Sequence, residues 1–267
     1  MTATFSLWHK HMRKFFRNPE AAFGMLLQPI LWLVLFGVGM EAMLGRGGSI
    51  SLTEGSAGVE SYIGFMVPGI ILFSALSGAV SGGATLLDER LRGIIKEYLA
   101  APIPRYSILL ANALSTVTKG LFQAGIILVL ALFFGSRVAP NPLGWLGGLL
   151  VIGLYGLGIA GLALAVAARV NSTLGYHGLI ALDLPLLFAS NALYPLDILP
   201  GWMQWVARFN PTTYAIDAMR WLVYNIHYEG QANLWLSVGI VSGFAVLGMM
   251  LAVRAFRREI KQRGGAA

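Results

Sequence analysis

Residues 86–105 read LLDERLRGIIKEYLAAPIPR, with seven formal charges in twenty positions. The remainder of the chain is mostly apolar, and runs long enough to cross a bilayer flank this stretch on both sides. Leu87, Leu91, Ile94, Ile95, Tyr98 and Leu99 fall at i, i+4, i+7, i+8 spacing, which predicts a short amphipathic helix. Asp88 and Glu89 stand at its start, where acids suit the helix dipole. Pro102 and Pro104 stop it and turn the chain. The predicted product is a stiff, charged elbow between two membrane spans. A passive solvated loop needs neither an apolar stripe nor caps.

Working outward, apolar segments of about 20 residues qualify as spans. Six are expected: Ala21–Met40, Ser61–Leu87, Tyr106–Ser136, Val138–Ala168, Val170–Leu196 and Gly230–Val253. The third contains Lys119 and the fifth Asp183. The first is too long for a secretory h-region and no small-residue cleavage site follows it, so an uncleaved anchor is expected. The fold class is thus an all-α polytopic membrane protein, 1–267 forming a single transmembrane domain.

Only 12% of the 267 residues are charged and mean hydropathy is +0.70. Soluble domains carry about a quarter charged residues. With no cysteine, disulfides, thiol catalysis and thiolate metal sites are excluded. The four histidines are scattered without metal-ligand spacing, so no metal is expected. The net charge of +7 reports orientation rather than nucleic-acid binding. Fourteen of nineteen Lys and Arg side chains fall before span one, in the elbow, between spans four and five, or after span six. Arg46, Arg137, Arg208 and Arg220 fall on the opposite side, and Lys119 is left within a span. This bias places both termini and the elbow in the cytoplasm, with the chain in the cell or inner membrane.

Residues 1–20 form an expected interface helix. Phe5, Trp8, Met12, Phe15 and Phe16 share one face, and Lys10, Arg13, Lys14 and Arg17 cover much of the rest. Such a helix lies in the headgroup layer of membrane lipid, as a topology anchor or a coupling element.

Residues 194–229 are the second informative segment. Pro195 precedes Pro200-Gly201-Trp202, which opens a helix with Trp202, Trp205, Val206 and Phe209 on one side. Asn210-Pro211 breaks it, Thr212 or Thr213 caps a second helix carrying Tyr214, Trp221, Tyr224 and Tyr228, and Asp217 and Arg220, three apart, are a candidate pair that would contribute little if exposed. Aromatic density of this kind suits a membrane interface.

Within the spans, Asp183 costs at least about 2.5–3.5 kcal/mol in hydrocarbon and is expected to face protein or water. Lys119 stands about 20 Å along span three and is expected to snorkel to the inner interface. Gly78-x-x-x-Gly82 and Gly144-x-x-x-Gly148 permit close helix contact.

Two patterns, E-R-x-x-G-x-x-x-E-x-L-x-x-x-P-x-x-R from Glu89 to Arg105 and P-x-x-x-L-P-x-W…N-P-x-T-Y from Pro195 to Tyr214, occur in order among six apolar runs. In this the chain resembles the membrane subunit of ABC-2-type ATP-driven exporters, in particular the daunorubicin-resistance and nodulation-factor export permeases. The resemblance implies that the elbow is a coupling helix docking in a cleft of a separate ABC ATPase. Glu89, Arg90, Arg92 and Glu97 would pair at the rim, Ile94, Ile95 and Leu99 would anchor, Gly93 would allow close approach, Pro102 and Pro104 would make the elbow rigid toward span three, and Arg105 closes the coupling set. It implies a homodimer or heterodimer with two ATPase copies, and outer re-entrant helices closing the exit before span six. ATP and Mg would be bound by the ATPase, because no GxxxxGK[ST] occurs and GRGGS at 45–49 lacks the lysine. The chain is then no enzyme, and needs no cofactor of its own. The expected cargo is hydrophobic or lipid-linked: a drug, a lipid or a lipid-linked saccharide. Polysaccharide export is the alternative. An ion-coupled carrier, which would show repeats and more buried charge, and an intramembrane enzyme, for which His177 and Asp183 are wrongly spaced, fit less well.

Overall fold

The computed structural model describes residues 2–45, 62–100, 104–136, 138–181, 183–225 and 230–264, all without a strand. The elements are α1 (Thr2–Phe16), α2 (Pro19–Leu31), a π-helical stretch Trp32–Gly37, α3 (Val38–Gly45), α4 (Tyr62–Leu91), α5 (Ile94–Ala100), α6 (Arg105–Phe133), α7 (Pro142–Ala167), α8 (Thr173–Ile180), α9 (Asp183–Phe188), a 3₁₀ turn Leu196–Ile198, α10 (Gly201–Phe209), α11 (Pro211–Met219), a π turn Arg220–Tyr224, and α12 (Leu234–Gly264). Pro102, Arg46, Arg137 and Tyr228 lie outside the described residues, as do the side chains of Lys96, Leu99 and Arg105.

Helix α4 is the axis of the bundle. It is buried almost continuously from Tyr62 to Leu76, because its residues are apolar or small all round. Helices α6 and α7 flank it, the α2–α3 segment and α8–α9 cover its remaining faces, and α12 packs along α7. Thirty residues make α4 about 45 Å long, beyond the ~30 Å of a hydrocarbon core, so its last turns project from the bilayer.

Glycine sets how closely these helices approach. A Cβ on Gly82 would stand 3.1 Å from Asn112 Oδ1 and one on Gly78 3.4 Å from Gln123 Oε1, so this pair seats the polar residues of α6 within the chain. Gly144 and Gly148 receive the π turn, at the Leu222 carbonyl and the Val223 side chain. At Gly161 the backbones of α7 and α12 touch: a Cβ there would meet the Gly248 carbonyl carbon at 2.2 Å.

Among the described residues five helical segments are long and apolar enough to cross a membrane: Phe23–Met43, Tyr62–Leu91, Tyr106–Phe133, Pro142–Ala167 and Leu234–Arg257. The expected fifth span, Val170–Leu196, is instead two short helices, α8 and α9, followed by turns from Ala189. Thr173–Phe188 would reach only about 24 Å even if continuous. Pro185 supplies no N–H, and the Asp183 carboxylate caps its own helix by accepting from the Leu184 N–H at 2.7 Å. The half-buried Asp183 therefore starts a helix rather than sitting inside one.

Helix α2 has a comparable break with a visible remedy. Pro29 cannot donate to the Met25 carbonyl one turn earlier. Gln123 Nε2 on α6 donates to that carbonyl at 3.1 Å. A polar side chain in a span thus satisfies backbone that the proline frees.

Candidate functional site

Two regions collect the chain's polar chemistry, one at each end of α4. At the first, the expected single amphipathic helix of residues 86–99 is divided. Helix α4 continues to Leu91, Gly93 takes φ +79°, and α5 begins at Ile94. Nothing of this chain lies within 4 Å of a Cβ placed on Gly93, and its φ is the left-handed angle that glycine adopts freely. Asp88 and Glu89 consequently stand at the end of a helix, against its dipole, and each has a cation: Arg92 Nε lies 2.8 Å from Asp88, Lys10 Nζ 3.5 Å from Glu89.

The charges expected at a docking rim divide into two sets. Glu89 and Arg90 are 7% and 8% exposed and engaged within the chain. Arg90 donates to the carbonyls of Ala168 and Val170 and to Asn171 Oδ1, the last at 2.8 Å, tying the end of α4 to the chain leaving α7. Glu89 accepts from the Tyr98 hydroxyl, which accepts in turn from Lys10 on α1. Burial alone lowers the Lys10 amine, but Tyr98 and Glu89 outweigh it and hold the amine above its ordinary value. Ile95 is buried in the chain's own core and Ile94 is half-buried. Leu91, Arg92, Glu97 and Pro104 are exposed and form the free surface of the elbow.

Helix α1 packs along α6. Met12 and Phe15 are buried, and Trp8 Nε1 donates to Thr118 Oγ1 at 3.2 Å. Phe5 and Phe16, expected on the same face, point outward. Lys119 Nζ lies 5.5 Å from the centre of the Phe15 ring, so it meets α1. His11 is buried in this seam; burial first, then Lys119, Lys10 and Lys14, pull its imidazole down to about 4.

At the far end of α4 the outer segment folds as expected into two helices, with a different cap. Asn210, not Thr212 or Thr213, caps α11 by accepting from the Thr212 N–H at 3.0 Å. Its amide also donates to the carbonyls of Leu186 and Ala189, at 2.7 and 2.9 Å, satisfying the broken end of α9. Thr212 pairs with the Tyr155 hydroxyl of α7 at 2.9 Å. Pro195 and Pro200 bracket the 3₁₀ turn, Pro211 opens α11, and the Tyr214 hydroxyl donates to the Arg208 carbonyl. Trp202, Trp205 and Phe209 form an exposed aromatic face.

Asp217 and Arg220, the candidate pair three residues apart, are both 0% exposed. Asp217 accepts from Asn191 Nδ2 at 2.6 Å and from the Ala232 N–H at 3.1 Å. Arg220 Nη2 donates to the carbonyls of Phe65 and Asn191, at 3.0 and 2.8 Å. This buried knot joins α4, the turn after α9, α11 and the chain entering α12. Charges three apart in an aromatic segment looked like interface residues; only the tertiary packing puts them inside.

The geometry is that of a helical bundle with a charged elbow at one end and a polar knot beneath an aromatic cover at the other. The sequence pattern of the ABC-2 type transporter matches residues 2–224. A protein of Porphyra purpurea carrying the name of a transport permease, ycf38, is 31% identical over 88% of this chain and 79% of its own length. The daunorubicin resistance ABC transporter permease protein DrrB1 of Streptomyces coeruleorubidus is 26% identical over 94% and 86%. The inner membrane transport permease YadH of Escherichia coli K12 is 26% identical over 81% and 80%. In such systems the ATPase is a separate subunit. The chain belongs to the ABC-2 type transporter family, as a multi-pass membrane permease subunit.

Proposed function

We propose that this chain is the permease half of an exporter that moves a hydrophobic or lipid-linked molecule outward, driven by two copies of an ABC ATPase. Two permease chains enclose the route, and the segment counted as the fifth span completes a six-segment topology with both termini and the elbow in the cytoplasm. The observation that carries the reading is the elbow itself. Leu91, Arg92 and Glu97 are exposed at the projecting end of the most buried helix, while Arg90 and Glu89 fasten that end to α7 and α1. A force on α5 is therefore delivered to three helices at once. For ATP to shift the permease, the elbow must bind the two ATPase states unequally. Helices α10 and α11, with Trp202, Trp205, Asn210 and Tyr214, are assigned to the exit. The exposed aromatic surface and the drug-resistance name of one relative support an apolar cargo.

The test is co-purification. A tag on this chain retains an ATPase in equal amount, and Arg92→Glu with Glu97→Lys abolishes retention while the permease stays folded in the membrane. ATPase binding unchanged by that reversal removes the coupling assignment. Uphill transport by this chain alone in proteoliposomes removes the whole reading.

A further inference from the structure

The surface of α1 turned away from α6 carries His9, Lys10, Arg13 and Lys14, and with Arg17 just after the helix they line a groove of about 640 Å³. All five are exposed. The opposite surface is fixed, with Met12 and Phe15 buried and Trp8 bonded to Thr118. That contact sets the height of α1. Counting ~30 Å of hydrocarbon from Phe133 at 1.5 Å per residue reaches about Ala113. Thr118 and Lys119 thus lie about 8 Å inside the boundary between acyl chains and headgroups, on the elbow side, where the Trp8 ring reaches Thr118 from α1. Phe5 and Phe16, both exposed, are placed to enter the acyl layer beside α6. The basic groove contains Lys10, which pairs with Glu89 at the projecting end of α4, so it opens toward the lipid phosphates.

We infer that this groove is a binding site for anionic phospholipid headgroups of the elbow-side leaflet, and that their charge controls how firmly α1 holds the elbow. The second part follows from Lys10. It lines the groove and is also the residue that joins α1 to Glu89 and Tyr98, its Nζ lying 4.8 Å from the centre of the Tyr98 ring. A phosphate held by Arg13, Lys14 and Arg17 competes for the same ammonium group. Lipid charge therefore weakens the one described ion pair between α1 and the end of α4. A headgroup is favoured over a soluble anion because the groove sits where lipid phosphates are concentrated, and each Lys or Arg there adds to attraction by a charged leaflet. The inference depends on the position of α1 and not on the ATPase assignment, and its test uses the permease by itself.

The full chain is purified from nanodiscs containing equal phosphatidylglycerol and phosphatidylcholine, and retained lipid is counted by native mass spectrometry. Phosphatidylglycerol is expected to be enriched, and Arg13→Gln with Lys14→Gln and Arg17→Gln lowers the enrichment by about tenfold or more. The charge-conserving set Arg13→Lys, Lys14→Arg and Arg17→Lys keeps it, which separates charge from folding. Equal retention of both lipids by the native chain, or enrichment that survives the glutamine set, overturns the site. Displacement of retained phosphatidylglycerol by millimolar inorganic phosphate overturns the lipid assignment in favour of a soluble anion. For the second part, the chain contains no cysteine, so Glu97→Cys carries a single nitroxide. Its mobility rises with phosphatidylglycerol content in the native background and is already high and lipid-independent with Lys10→Gln. A probe indifferent to lipid charge in both backgrounds overturns the link to the elbow.

Discussion

The guanidinium of Arg220 lies 3.7 Å from the centre of the Phe65 ring while donating to the carbonyl of that same residue. One side chain therefore grips α4 by both its ring and its backbone, from a position 155 residues further along the chain. Replacing it with leucine removes the stacking and the two carbonyl bonds, and leaves Asp217 buried without the positive charge three residues on. Loss of one side of a buried charged set costs on the order of 3–5 kcal/mol. Arg220→Leu should lower the midpoint of thermal unfolding in detergent well below that of the native chain. Arg220→Lys should recover part of the loss, because lysine keeps the charge but not the planar stack. Equal midpoints for native and Arg220→Leu chains would show the knot to be energetically idle.

Pro29 and Gln123 should behave as a coupled pair. In the native chain Gln123→Leu strands the Met25 carbonyl and costs about 1 kcal/mol. With Pro29→Ala, a backbone N–H becomes available to that carbonyl, and the second substitution should be nearly neutral. A double-mutant cycle on unfolding stability measures the difference. A cycle that closes to zero disconnects the amide from the proline.

Acid should loosen α1. The His11 imidazole titrates at about 4 when docked, against about 6.5 when free. The released helix binds a proton that the docked helix refuses, so docking is at full strength above about 6.5. It weakens progressively as pH falls toward 4, by on the order of 3 kcal/mol at the end of that range. Hydrogen exchange of residues 2–16, corrected for intrinsic pH dependence, should rise over this window in the native chain. It should stay flat in His11→Gln. A rise of equal size in both chains assigns the effect to another group.

Gly93 should tolerate substitution in space but not in conformation. At φ +79° an alanine costs about 1–2 kcal/mol, and asparagine less. Gly93→Ala should leave expression and membrane insertion intact while reducing substrate-stimulated ATP hydrolysis in the assembled transporter, with Gly93→Asn intermediate. Full stimulation in Gly93→Ala would mean that the turn angle does not matter to the elbow.

Most of the bundle was legible because hydrocarbon imposes length and apolarity on any helix that crosses it. The segments at Ala21–Met40, Tyr106–Ser136 and Gly230–Val253 needed nothing more. The fifth is two short helices where one was expected, because apolarity alone does not separate a through-going helix from two short ones. Asp183 and Pro185 were the available signals for its start, and its end is satisfied from a distance by Asn210, which takes up the Leu186 and Ala189 carbonyls. The elbow was located correctly, but its division at Gly93 was not foreseen, since glycine at a helix end and glycine within a helix look alike in sequence. Glu89 and Arg90 show the deeper limit. Nothing local distinguishes a charge that meets a partner from one that meets Lys10 or the carbonyl of Ala168; the difference is made by helices eighty residues away.

At Gly161 and Gly248 there is no side chain between the two backbones, and successive contacts at Gly158 with Phe244 and Gly161 with Gly248 show α7 and α12 running in the same direction. Two rods in backbone contact have no cushion of rotamers to absorb relative sliding. They travel as one plank, and relative motion of the helices would be taken up where the helical ladder is interrupted, as at Pro29.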